Sequence, residues 1–277
     1  VTVLLALVAA AMYGVGDFAG GIASRSRNAI TILVTSYPIG AVLMALCLPL
    51  FPGSLSLTTV LYGIGGGLSG MLGVILMYSA LALAPMNVIS PVTAVLAAVV
   101  PVVFGVVTGE RPAISAWLGI VLGLVAVFLV SRTPEDHPHG PIAPKILAMA
   151  LLAGVGFGLY FICLAHAPSD SGAWPLVIAR ITSAVGILPL AWRRRRLGTV
   201  RGRLLAITAI SGVCDAGANL FFLLASRHGY LSLASVITSL YPAGTVLLAV
   251  LILREHTGRI QQVGLALAAA SVVLITA

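Results

Sequence analysis

Ten apolar runs follow one another along the chain, at about 2–24, 28–50, 57–83, 86–108, 112–131, 144–167, 172–192, 203–226, 230–252 and 258–277. A helix rises about 1.5 Å per residue, so roughly 20 residues cross a hydrocarbon layer about 30 Å thick. Every run has that length. Only 8% of the 277 residues are charged and 60% are hydrophobic, whereas a soluble domain is roughly a quarter charged. The outside of the molecule must therefore meet lipid. Strands of a transmembrane barrel would alternate apolar and polar residues, but these runs are apolar all round, which excludes a barrel. The expectation is an all-α membrane protein of ten transmembrane helices.

Breakers mark the linkers: Ser24 to Asn28, Phe51-Pro52-Gly53-Ser54, Ala84-Pro85 and Gly109-Glu110-Arg111-Pro112. The most polar linker, Ser131 to Pro144, falls near the middle of the chain and holds His137 and His139 among prolines and acids. That composition suits a solvated connection better than a metal site. The net charge of +8 does not point to nucleic acid. Loops 1–2, 3–4, 5–6, 7–8 and 9–10 hold twelve of the Lys and Arg residues, and the opposite loops hold two, Arg111 and Arg227. Basic loops stay in the cytoplasm. Both termini are therefore expected outside it, in a protein of the cytoplasmic membrane of a prokaryote. No basic segment or cleavage site precedes the first run, so no signal peptide is expected. Trp117, Trp174 and Trp192 lie near helix ends, where indoles anchor at the lipid–water boundary. Cys47, Cys163 and Cys214 lack ligand spacing and read as core filler.

The chain repeats itself. A shift of 140 places Gly14-Val15-Gly16 on Gly154-Val155-Gly156 and Leu48-Pro49-Leu50 on Leu188-Pro189-Leu190. From the third helix on, a shift of 145 pairs Ala80 with Ala225, Ser90 with Ser235, Thr93 with Thr238, Glu110 with Glu255 and Gly119 with Gly264. The five extra residues fall in the Arg-rich loop 7–8. The halves are residues 1–132 and 144–277, joined by a linker at 133–143. Five helices is an odd number, so the second half must enter the membrane inverted. Two inverted five-helix repeats suit a secondary transporter that binds its solute between the halves near the midplane.

The chain resembles the ten-helix EamA-type branch of the drug/metabolite transporter superfamily. Three segments carry the resemblance: the turns Gly109-Glu110-Arg111-Pro112 and Arg254-Glu255-His256, and the opening Tyr13-Gly14-Val15-Gly16-Asp17-Phe18. The second turn departs in having Arg254 where Gly is usual. The resemblance implies a secondary transporter working by alternating access, exporting amino acids or related small solutes. The residues themselves add membrane lipids as partners, protons if a buried carboxyl titrates and facilitated diffusion otherwise, and no cofactor, metal or nucleic acid.

Charges within the apolar runs are costly and need a reason. Asp17, Arg180 and Asp215 qualify, and their counterparts in the other half are Phe157, Gly40 and Gly70. All three break the repeat. Arg180 and Asp215 lie at similar depths, so a salt bridge between helices 7 and 8 is one reading; contact with a charged group of the solute is the other. Asn219 lies one turn from Asp215. Tyr13 lies one turn from Asp17, a carboxyl without an obvious partner that either carries a proton or fixes helix packing. Pro91 and Pro101 are expected to interrupt helix 4, and Pro242 helix 9. Interrupted helices at matching places mark binding sites, and Thr93, Thr238 and Tyr241 lie near enough to hydrogen-bond a solute. The pairs Gly63/Gly67, Gly66/Gly70 and Gly154/Gly158 read as close-approach stripes. An aromatic content of 6% argues against a cavity built mainly from aromatic rings. Two other readings remain open: an intramembrane enzyme, which would need clustered nucleophiles and bases, and a non-transporting receptor or assembly subunit.

Overall fold

The structure, a computed structural model, describes residues 1–81, 83–84, 86–131, 143–195, 198, 200–253 and 258–276. The linker core with His137 and His139, the Arg254-Glu255-His256 turn and Arg196 of loop 7–8 lie outside the described residues. Eleven α-helices follow in order: α1 (Thr2–Ser26), α2 (Ala29–Cys47), α3 (Leu57–Leu81), α4 (Met86–Val107), α5 (Ile114–Val130), α6 (Pro144–His166), α7 (Trp174–Arg193), α8 (Gly202–His228), α9 (Leu231–Thr238), α10 (Tyr241–Leu253) and α11 (Arg259–Thr276). A 3₁₀ turn, Ser169–Ser171, precedes α7.

Among the described residues, eight segments are long and apolar enough to cross a membrane, and Val92–Val107 and Ile114–Val130 are shorter apolar helices. Between 28% and 50% of each spanning segment is buried. What remains is mostly apolar surface such as Val42, Leu46, Val121, Val185, Ile210 and Leu251, all exposed. That surface is at home in lipid, and the chain is a multi-pass membrane protein.

The helices pair in a pattern that survives exchanging the two halves. Contact of α1 with α8 matches that of α6 with α3, and α4 on α6 matches α9 and α10 on α1. Likewise α3 on α7 matches α8 on α2, while α2 meets α7 and α5 meets α11. Helices associate in lipid through close packing of small residues and through hydroxyl-to-carbonyl bonds. On α3, Gly63 and Gly67 lie against α7, and Gly66 and Gly70 against α6. Ser183 of α7 donates to the carbonyl of Gly67 at 2.9 Å, and Ser271 of α11 to that of Gly119 at 2.7 Å. Gly154 and Gly158 of α6 lie against α4.

The prolines divide. Helix 9 is broken as expected: α9 stops at Thr238, and α10 starts at Tyr241, just before Pro242. Helix 4 is not. Met86–Val107 is one helix through both Pro91 and Pro101. A proline removes one backbone bond and needs room for its ring. The ring of Pro101 packs closely on α6 at Gly158, where a Cβ would come within 3.2 Å of Cδ. The expected interruption of helix 4 is corrected: the missing N–H groups cost backbone bonds but do not end the helix.

The turn after α4 shows what its three residues do. Gly109 takes φ +110, a conformation open to glycine, and ends the helix. Arg111 donates from Nη1 to the carbonyls of Val106 and Glu110, at 3.2 and 2.9 Å. Glu110 reaches into the other half of the chain. Its Oε1 accepts from the N–H of Leu231 at 2.6 Å and its Oε2 from that of Ser232 at 3.0 Å. These are first-turn donors of α9, which have no partner within their own helix. On the same side, Ser54 donates to Asp170 at 2.6 Å and Arg227 to Ser171 at 2.9 Å, so loops 2–3, 4–5, 6–7 and 8–9 are knitted together.

Candidate functional site

Arg180 of α7 and Asp215 of α8 form an ion pair, Nη1 to Oδ2, at 2.5 Å. Their similar depths in the sequence are thus realised as contact. The pair is lopsided. The Arg180 side chain is 7% exposed and that of Asp215 is 37% exposed. Arg180 Nε and Nη2 have no hydrogen-bond partner among the described residues. Beside the guanidinium stem lies α2, where a Cβ on Gly40 would sit 3.7 Å from Arg180 Cδ. Gly40 is the residue that the repeat matches to Arg180, so the arginine packs against its own counterpart.

A polar chain extends from this pair. Asn219 donates from Nδ2 to the backbone carbonyl of Asp215 at 2.6 Å. The Tyr13 hydroxyl donates to Asn219 Oδ1 at 2.5 Å, joining α1 to α8. Tyr13 also lies within electrostatic reach of Tyr160, Asp215, Arg180 and Asp17. Asp17 is exposed, yet it sits in the field of Asp215 and close to Tyr241. Among the described residues Asp17 makes no hydrogen bond or ion pair.

Small residues set this geometry. Gly16 and Gly20 let α1 lie against α8 beside Asp215, with Ser211 donating to the Gly16 carbonyl at 2.8 Å. Gly14 lets the backbone of α1 meet that of α10 at Gly244, and Thr245 donates to the Gly14 carbonyl at 3.3 Å. Asp17 and Tyr13 are thereby aimed between α8 and α10.

Six of the sequence candidates, Tyr13, Asp17, Arg180, Asp215, Asn219 and Tyr241, fall in this one cluster. The two threonines do different things. Thr93, buried in the seam between α4 and α6, donates to the carbonyl of Ala150 at 3.3 Å. Thr238 is fully buried at the end of α9, its hydroxyl without a partner among the described residues.

Aromatic residues were underrated. Tyr13 lies 5.8 Å from Tyr241 and 6.4 Å from Phe161 between ring centroids. Phe161 continues to Phe222 at 4.3 Å and to Tyr160 at 6.0 Å. Few rings in the chain as a whole thus still make a locally aromatic wall. Tyr160, which also feels Arg180 and Asp215, escaped the sequence reading. A signal existed: at the shift of 140 its counterpart is Gly20, so Tyr160 breaks the repeat as Asp17, Arg180 and Asp215 do.

One crystal structure of a protein superimposes with a TM-score of 0.78 over 99% of this chain and 96% of its own, at 19% identity, and so shares the fold. No curated protein matches the chain. The sequence pattern of the EamA-like transporter family matches residues 1–132 and again residues 144–277, nearly the whole length. This chain therefore belongs to the EamA-like transporter family.

Proposed function

We propose that the protein is a secondary transporter that moves small solutes across the cytoplasmic membrane of a prokaryote by alternating access. Its ten crossings form two inverted repeats, residues 1–132 and 144–277, with 133–143 as the connection. The observation that carries this reading is the composition of the polar cluster. Tyr13 and Asp17 come from the first half, and Tyr160, Arg180, Asp215, Asn219 and Tyr241 from the second, in helices that pair across the exchange of halves. A site shared by two halves changes its exposure when they rock against each other. Amino acids or related solutes, moved outward, are the expected cargo, with protons as the coupling ion and lipid as the surroundings. Family membership favours transport over an intramembrane enzyme or a receptor.

Reconstitution into liposomes tests it. Flux of radiolabelled amino acids and related metabolites, measured with and without a pH gradient, should saturate for at least one solute. Flux equal to that of empty liposomes for all of them would favour the non-transporting alternatives. The twelve-to-two bias of basic residues further predicts that both termini lie outside the cytoplasm. A C-terminal alkaline phosphatase fusion should be active and a green fluorescent protein fusion dark; the reverse pattern refutes the orientation.

A further inference from the structure

The eight-residue helix α9 carries a contradiction. Its residues Ser232, Ser235 and Thr238, and Ser239 just beyond, are fully buried, and their hydroxyls have no partner among the described residues. Burying a hydroxyl unpaired is unfavourable. At about 100° per residue, positions 232, 235 and 239 fall within roughly 60° of one another, so the three serines share one narrow face. Three unpaired hydroxyls on one face stabilise nothing here. They are suited to a second arrangement in which this face meets water or solute.

The same helix is short and bounded at both ends, while Leu231, Ala234, Val236 and Ile237 pack it into the core. It ends at Thr238, before the break that precedes α10. At its other end, the Glu110 carboxylate adds a polar tie to that packing, on the N–H groups of Leu231 and Ser232. An anion is well placed there, since the helix N-terminus is its positive end. Gly105 makes the reach possible, because a Cβ at that position would lie 2.5 Å from Glu110 Oε2.

We propose that Glu110 is a gate latch. It holds α9 against the end of α4, and its release lets α9 swing about the break before Tyr241 and present Ser232, Ser235 and Ser239 to the solute path. The inference rests on the transport reading for the gate's purpose. Its test needs no solute, so the two stand or fail separately.

The experiment uses the full chain in liposomes, with Cys47, Cys163 and Cys214 replaced by alanine and Ser235→Cys as the reporter. A charged methanethiosulfonate reagent reads accessibility. Two changes loosen the latch by different means: Glu110→Gln removes the charge, and Gly105→Ala displaces the carboxylate while keeping it. Each should speed labelling at position 235 by about tenfold or more, the scale of a lost charged hydrogen bond. Ser36→Cys, at a buried site on α2, should label at an unchanged rate. Unchanged labelling at position 235 in both variants overturns the latch. So does equal acceleration at position 36, which would mean general loosening. If one variant fails to fold, the other decides between the same outcomes.

Discussion

Asp215→Asn should destabilise the protein more than Arg180→Ala, although the two residues share one ion pair. The reason is the lopsided burial, 7% exposure for the arginine side chain and 37% for the aspartate. Removing the carboxylate strands a guanidinium that is nearly sealed from water, at a cost of about 3–5 kcal/mol. Removing the arginine strands a carboxylate that is only partly buried, at about 1–3 kcal/mol. The double variant should cost less than the two single costs together, because it strands neither charge. Thermal or denaturant unfolding in detergent measures all three. Costs that add to within about 0.5 kcal/mol would mean that the residues act independently. Flux should fall in both single variants if the pair also shapes the solute site. A salt bridge serving only to pin the helices would let flux recover in the double variant.

Asp17→Asn should abolish flux driven by a pH gradient while leaving the folded protein intact. Asparagine keeps the shape and most of the hydrogen-bonding capacity of aspartate but does not titrate. Asp17 is exposed and makes no ion pair among the described residues, so neutralising it breaks no direct contact. Its setting near Asp215 and Tyr241 places it where a proton and the solute would influence each other. Intramembrane carboxyls commonly serve as proton relays. Solute exchange without a gradient should persist in the variant. Gradient-driven flux persisting in Asp17→Asn would remove the residue from coupling. A wild-type protein indifferent to the gradient would make the transporter a facilitator and Asp17 a packing or solute contact.

Much of this architecture was legible because lipid demands long, uniform runs. Each predicted run from 2–24 to 258–277 ends within a few residues of a helix or helix pair. The ion pair was legible too, since two opposite charges at matching depth in lipid have strong reason to meet. The fate of the prolines was not. Pro101 and Pro242 look alike in sequence, but Pro101 lies inside one continuous helix, packed on Gly158, 57 residues away, while Pro242 follows a break. Neither was the destination of Glu110 legible. The Gly-Glu-Arg turn announces the end of a helix, yet nothing nearby in sequence indicates that its carboxylate caps a helix of the other half. Tyr160 was missed because composition averages over the whole chain, while an aromatic wall needs only four or five rings in one place.

Gly40 beside Arg180 bears on how such a protein can have arisen. Residues matched by a repeat can touch only near the axis relating the two copies. There, a large charged side chain leaves no space for its twin, and two guanidiniums would also repel each other. A pair of identical five-helix subunits could not build this site. It requires two halves of different sequence, one supplying the charge and the other the space. The two halves are therefore no longer interchangeable parts, and ancestry from a symmetric dimer would be a path this chain cannot retrace.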